Sequence, residues 1–184
     1  MENITKRSIQ ITKGPSGRAI AHPIDSALLA AMYEHITMER NASAQYFAMS
    51  LWFSEREFKG FSKYYENESL SEQKHASSFS RYLIARGQTV ILENLAPPIQ
   101  VFDSVEEIVR NSFQMEADVT TSLNQLYSMA ERTSDVRTNV YLDPVIENQT
   151  KAEDEFAYLL GKVSFANNQP SALFIIDNEL YDDD

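Results

Sequence analysis

Apolar residues recur at steps of three and four positions through most of this chain, in four long stretches and one short one. In the first stretch the repeating stripe includes Met32, Ile36, Tyr46 and Phe53. Such steps place side chains on one face of an α-helix, whereas a strand needs strict alternation, which no long stretch shows. The pattern predicts five helices, at about 25–59, 61–86, 104–133, 134–163 and 170–180.

Residues with strong cap and stop preferences fall where these helices begin and end. Asp25 precedes the first stripe, and Ser104 with Glu107 forms a capping-box pattern before the third. Gly87 follows the second stripe and is predicted to end that helix, because glycine readily adopts the left-handed conformation of a helix C-terminus. Pro144 lies near the start of the fourth helix, where it should bend the helix rather than break it.

The chain divides into a short extension and one domain. Residues 1–24 contain Gly and Pro at several positions and show no helical period, which predicts an irregular N-terminal extension. Residues 25–184 then form a single domain, since 184 residues correspond to roughly one domain at about 150 residues each.

The longest connection, residues 88–103, indicates how the helices are arranged. Short turns join the first helix to the second and the third to the fourth, so each pair should be an antiparallel hairpin. A helix of about 27 residues is about 40 Å long, and about 15 extended residues reach about 50 Å, so this link can return along the whole bundle. We predict an all-α four-helix bundle with one long crossover and a short fifth C-terminal helix.

Composition limits the chemistry that this bundle can carry. The formal net charge of −11 makes nucleic acid an improbable partner and cations a better one. The absence of cysteine excludes disulfides, thiolate metal sites and iron–sulfur clusters. The N-terminus has no signal-peptide pattern and no run of 18 apolar residues occurs, so we expect a cytoplasmic protein without a membrane partner.

Polar and ionisable side chains interrupt the apolar stripes of all four long helices. An unpaired carboxylate buried there would cost several kcal/mol, so something must compensate it. The interrupting residues are Glu39, Tyr46, Glu72, His75, Glu116 and Gln149. Oxygen and nitrogen ligands of this kind, with one carboxylate shared, suit a pair of iron ions inside a bundle.

These residues stand in the order and approximate spacing of a known site. Glu39 with Tyr46, then EQKH, FQMEAD and ENQ, resemble the ferroxidase centre of the ferritins over about residues 25–180. Within that family the chain looks most similar to cyanobacterial non-haem ferritins, which resemble the plant and animal H type. The resemblance implies a protein that stores and detoxifies iron in a 24-subunit cage. It also implies that the protein oxidises Fe(II) with O2 or H2O2 at a di-iron centre.

The resemblance also implies a role for each ligand position. Glu39 and His75 would bind the first iron, and Glu72 would bridge both irons. Glu116 would bind the second iron, and Gln149 would support that side.

Three further positions take supporting roles by the same resemblance. Tyr46 would hydrogen-bond to the site or donate an electron to the reaction. Relatives carry mineral-nucleating acids beside the second-helix ligands, and this chain has Ser, Lys and Ser there. Glu68 and Glu147 are the auxiliary metal candidates that remain.

Histidine usage separates this chain from the haem-binding relatives. Bacterioferritins have a second Glu-x-x-His on the fourth helix and a Met directly after the bridging Glu. Here the fourth helix has no His, and Gln73 follows Glu72, so we expect no haem. We assign His22 and His35 to the surface or to an ordinary core position.

Two other classes of function remain open from the sequence. One is a soluble di-iron oxidase or peroxide-reducing enzyme that stores no mineral, although such enzymes commonly take Glu-x-x-His from two helices. The other is a catalytically inert structural bundle, in which the buried acids have purely structural partners.

Overall fold

The alternating steps of three and four fold as helices over the whole of the described chain. A computed structural model of the protein describes residues 11–182, which contain five α-helices and no strand beyond an isolated bridge between Lys13 and Ala19. The helices are α1 (Ser26–Ser54), α2 (Lys59–Ala85), α3 (Val105–Arg132), α4 (Val136–Ala166) and α5 (Pro170–Asp182). The predicted all-α four-helix bundle with a short fifth helix is confirmed.

The predicted extension, residues 1–24, is only partly covered by this description. Residues 1–10 lie outside the described residues, and 11–24 form turns without a helix. Here Ser16 Oγ donates to the backbone oxygen of Gly87, 2.9 Å away, so part of the extension lies on the end of α2. No helix within 11–182 combines the length and the hydropathy that crossing a bilayer requires.

Side-chain caps start α1 and α3 at the positions that the sequence indicates. The Asp25 carboxylate accepts the backbone N–H groups of Ala27 and Leu28, and Ser104 Oγ accepts that of Glu107. Glu107 completes a variant of the capping box, because its carboxylate accepts the N–H of Asp103, 2.6 Å away, instead of the N–H of Ser104.

Three helix ends share one turn geometry. A residue with positive φ follows α1, α2 and α3: Glu57 (64°), Gly87 (78°) and Ser134 (55°). In each case the next amide donates to a carbonyl five residues earlier, as in a Schellman motif. The predicted stop at Gly87 is confirmed. The predicted end of the first helix near Lys59 was wrong, since Glu57 adopts the left-handed conformation without being glycine and α1 ends at Ser54.

The long link lies against α1, as the predicted crossover requires. Arg40 Nη1 donates to the backbone oxygen of Glu93 at 2.8 Å. The amide of Gln45 pairs with both backbone groups of Ile99, at 2.8 and 2.9 Å. These contacts hold residues 88–103 in an extended path from one end of the bundle to the other. Pro144 lies inside α4, which continues past it without a break.

The core consists of two apolar clusters with a polar band between them. The first is rich in aromatic side chains and includes Phe53, Phe61 and Phe156, all with 1% exposure or less. The second is mainly aliphatic and includes Met32 and Leu142. The helices are held together on both sides of the band, so its side chains are fixed in position by packing above and below.

The start of α2 is capped by a residue from α5. Phe58 offers no side-chain cap, and the backbone N–H of Phe61 instead donates to Asp177 Oδ1 at 2.8 Å. A Cβ built on Gly60 would lie 1.7 Å from the backbone oxygen of Asp177, so only glycine allows the two helices to approach this closely. The fifth helix is therefore anchored to α2 at a fixed register.

Substitution of Gly60 by Ala should loosen this contact. The added methyl group collides with backbone, which cannot move as a side-chain end can, so we expect a loss of about 2 kcal/mol in stability and a lower Tm by calorimetry. Gly161→Ala is the matched control, because nothing lies within 4 Å of its Cβ position in the C-terminal part of α4. The control should stabilise the helix by about 0.5–1 kcal/mol. Equal Tm changes in both variants would contradict the close-contact explanation.

Candidate metal centre

The polar band brings together side chains from all four long helices. Three of its acids are almost completely removed from water, with exposures of 2% for Glu39, 4% for Glu72 and 2% for Glu116. Each lies on the inward-facing stripe of its own helix, so the packing that buries the stripe also buries the acid. Carboxylates in such a place need protons, hydrogen bonds or a cation.

Three predicted ligands converge at one point. Glu39, Glu72 and His75 each offer one ligand atom, and these atoms lie within 4.8 Å of one another. His75 Nδ1 lies 3.0 Å from Glu72 Oε2, and the His75 side chain is 45% exposed. One nitrogen and two oxygens from converging side chains form a donor set that a divalent transition metal accepts.

Glu116 is held beside this group by hydrogen bonds of its own. The Tyr46 hydroxyl donates to Oε1 of Glu116, and Gln149 Nε2 donates to Oε2 at 2.8 Å and to the Glu116 backbone oxygen at 3.1 Å. Both carboxylate oxygens therefore have a partner. Tyr46 also stacks on Phe156 with ring centroids 5.7 Å apart, which fixes the direction of its hydroxyl.

Burial and mutual repulsion shift the pKa values of these groups. Burial is the main cause that raises the pKa of Glu39 and Glu116, and it raises the pKa of Glu72 to about 7. The hydrogen bond to Glu72 is the main cause that raises the pKa of His75 to about 9. The site thus holds protons near neutral pH that a bound cation would displace.

Glu68 connects the site to a surface cleft. It lies one turn before Glu72 on α2 and lines a cleft of about 410 Å³ together with Tyr64, Glu155 and Tyr158. Burial, with repulsion from Glu116 and Glu72, raises the pKa of Glu68 to about 8. The carboxyl group is therefore within the electrostatic reach of the centre and also faces the cleft.

Glu147 occupies a different environment. Its side chain is 74% exposed and forms an ion pair of 3.3 Å with Lys151 on the same helix. The structure places it outside the converging group of Glu39, Glu72 and His75.

His35 is the member of the site that the sequence analysis did not recognise. It is fully buried, so of the two predicted environments, surface and core, it occupies the core. Its Nε2, however, lies 2.9 Å from Glu39 Oε1. Its Nδ1 lies 2.9 Å from Ser122 Oγ on α3. The available signal was the spacing of four residues between His35 and Glu39, which places both on one helix face.

Comparison with known proteins gives one family. Residues 29–166 match the sequence model of the family described as "Ferritin-like domain". This range contains every member of the centre, from His35 to Gln149.

Individual relatives agree with that match. The chain is 26% identical to a "Bacterial non-heme ferritin" of Staphylococcus epidermidis, over 85% of this chain and 95% of the relative. It is 24% identical to a "Probable bacterial non-heme ferritin-like protein" of Haemophilus influenzae, over 80% and 89% of the two chains.

Solved structures show the same fold. An open pore ferritin from the archaeon Archaeoglobus fulgidus superposes with a TM-score of 0.84 at 24% identity, covering 86% of this chain and 98% of that one. A variant of PmFTN that was soaked in iron superposes with a TM-score of 0.80 at 26% identity, covering 83% and 98%.

The raised pKa values predict that the metal-free protein loses stability as pH rises. Glu72 and Glu68 hold their protons more tightly in the folded protein than in the unfolded one. Their contribution to the free energy of unfolding is therefore complete below about pH 4.5, and it is lost as pH rises through about 7 for Glu72 and about 8 for Glu68. We expect the Tm in chelating buffer to fall by roughly 5 °C between pH 6 and pH 8.5. Added Zn²⁺ should reduce the fall, and Glu72→Gln should remove the part that Glu72 contributes while the part due to Glu68 remains. A Tm that rises with pH in chelating buffer would contradict the shifted pKa values.

Proposed function

This chain belongs to the ferritin-like domain family, and we propose that it is an iron-storage and iron-detoxifying ferritin. In this proposal each subunit oxidises Fe(II) at a di-iron ferroxidase centre, with O2 or H2O2 as oxidant. A 24-subunit cage keeps the ferric product inside as mineral. The observation that carries the proposal is the convergence of two buried acids, Glu39 and Glu72, with the half-exposed His75 between two apolar clusters. The cytoplasm stays our predicted compartment.

We assign the first iron to Glu39 and His75 and the bridging position to Glu72. These are the three side chains whose ligand atoms lie within 4.8 Å of one another. Glu72 is suited to the bridge because it lies next to His75 and also interacts electrostatically with both Glu39 and Glu116. Because the His75 side chain is partly exposed, the first iron position is in contact with solvent.

We assign the second iron to Glu116, with Gln149 on the same side. Tyr46 is proposed as the catalytic side chain of the centre, because its hydroxyl donates a hydrogen bond to Glu116 beside the second iron position. Burial and the negative charge of Glu116 raise the pKa of Tyr46, so the phenol keeps its proton at neutral pH.

The chemistry balances with the partners named. Each of two Fe(II) ions gives up one electron, and O2 takes both electrons and two protons to become H2O2. When H2O2 is the oxidant, it takes two electrons and two protons and becomes two water molecules. Hydrolysis of Fe(III) to the oxyhydroxide then releases protons. Glu68, which is not an assigned ligand of either iron, can hold such a proton briefly, since its pKa in the metal-free protein is about 8.

Glu68 is proposed as the residue that passes iron between the centre and the cleft. It lies one turn from Glu72 and lines the cleft with Glu155. Glu147 stays a weaker auxiliary candidate, because its carboxylate is exposed and paired with Lys151.

Iron loading tests the proposed function directly. We expect the purified protein to be a large assembly by light scattering, to oxidise two Fe(II) per subunit rapidly, and to keep a large excess of iron soluble. Glu72→Ala should lose the rapid phase without unfolding, because removal of one acid relieves repulsion in the metal-free site. Glu66→Ala is the matched control, an exposed acid on the same helix.

The other outcomes separate the alternatives. Oxidation that stops at two irons per subunit would favour a soluble di-iron oxidase or peroxide-reducing enzyme. A monomer by light scattering would contradict the storage proposal, and a wild-type rate in Glu72→Ala would contradict the site assignment.

Glu68→Ala should separate oxidation from transport. We expect the first two irons per subunit to be oxidised at the wild-type rate and later turnovers to slow several-fold, because the carboxylate between the centre and the cleft is missing. Stopped-flow absorbance at low and high iron measures both phases, again with Glu66→Ala as control. Unchanged turnover at high iron would leave Glu68 without a role in transport.

A further inference from the structure

A buried histidine stands directly behind one of the proposed iron ligands. His35 lies one helical turn before Glu39 on α1, has 0% exposure, and packs its ring against Phe79 with centroids 4.4 Å apart. Its two nitrogens face different partners. Nδ1 lies 2.9 Å from Ser122 Oγ, and Nε2 lies 2.9 Å from Glu39 Oε1.

The contact between His35 and Glu39 is close but not aligned in the metal-free protein. Neither His35 Nε2 nor Glu39 Oε2 makes a hydrogen bond, although both atoms are buried. A buried polar atom without a hydrogen-bond partner destabilises the folded protein by about 1–3 kcal/mol. The arrangement is therefore suited to a state in which both atoms have a hydrogen-bond or metal partner. Oε1 of Glu39 faces the imidazole, and Oε2 is the oxygen left for a metal.

The imidazole can act as a fixed hydrogen-bond donor. The ring is fully buried and carries an N–H on at least one of its two nitrogens. If the Ser122 hydroxyl donates to Nδ1, that N–H is on Nε2 and points to Glu39. Packing alone does not require this residue, since an aliphatic side chain would also fill the space beside Phe79.

We propose that His35 is a positioning residue that donates from Nε2 to Oε1 of Glu39 and so makes Glu39 a ligand through Oε2 alone. This inference rests on the proposed function, because it concerns the first iron of that centre. A one-oxygen ligand leaves a coordination position on the metal that a two-oxygen ligand would fill. His35 thereby keeps the first metal open to water or oxidant without touching it.

Two substitutions of similar length test the role of the donor. Gln at position 35 keeps an N–H donor, whereas Met fills the same space with none. In crystals of the assembled protein soaked with Zn²⁺, we expect wild type and His35→Gln to show one Glu39 oxygen at about 2.0–2.2 Å from the metal. In His35→Met both oxygens should bind. Should His35→Met fail to assemble, His35→Leu takes its place.

A solution measurement accompanies the crystal structures. We expect Co²⁺ titration of the metal-free protein, followed by its visible absorption, to show a changed band shape and about tenfold weaker first-site affinity in His35→Met. His35→Gln should remain within about threefold of wild type. Equal Tm values of the two variants would show that packing does not explain the difference.

The outcomes distinguish this inference from the function on which it rests. Zinc bound by both Glu39 oxygens in wild type, or by one Glu39 oxygen in every variant, overturns the proposed role of His35. Either result leaves the proposed function standing. Zinc absent from Glu39, Glu72 and His75 in wild type overturns both the proposed function and this inference.

Discussion

The cost of burying three carboxylates between two apolar clusters is the constraint on which the rest of this structure depends. Glu39, Glu72 and Glu116 are each exposed by 4% or less, and burial is the largest cause of their raised pKa values. The imidazole of His75 and the hydrogen bonds from Tyr46 and Gln149 offset part of this cost. Such a cluster lowers the stability of the fold, and it provides the groups that the proposed chemistry needs.

The remainder of the fold supplies the rigidity that this cluster needs. Both apolar clusters span several helices, so no helix can move without disturbing packing above and below the polar band. Schellman turns end α1, α2 and α3, and the link 88–103 is fastened along α1 by paired side-chain and backbone hydrogen bonds. The Asp177 cap on α2 fixes the helix that carries both Glu72 and His75. Stability is thus concentrated in the parts that hold α1 and α2 in register.

Periodicity was sufficient to predict the helices and the burial of Glu39, Tyr46, Glu72, Glu116 and Gln149, because both depend on which side of a helix a residue occupies. What the sequence could not provide are features set by distant contacts. The end of α1 depends on a left-handed Glu57, a conformation that glycine signals and glutamate does not. The cap of α2 comes from Asp177, more than one hundred residues away. The spacing of His35 and Glu39 was visible, but the direction of each His35 nitrogen depends on Ser122 and on the packing of Phe79.

The two ends of the centre differ in hydrogen bonding and not in burial. Glu39 and Glu116 are equally exposed, at 2% each, yet Oε2 of Glu39 receives no hydrogen bond from a hydroxyl or amide group and Glu39 interacts instead with the carboxyl group of Glu72, while both carboxylate oxygens of Glu116 have a hydroxyl or amide donor. A cation beside Glu39 would satisfy an atom that is costly to leave unpaired, whereas a cation at Glu116 must compete with bonds already made. The metal-free structure is therefore better prepared for a metal at the side of Glu39 and His75. This asymmetry follows from the placement of Tyr46 and Gln149, which belong to the same packed stripes that build the bundle.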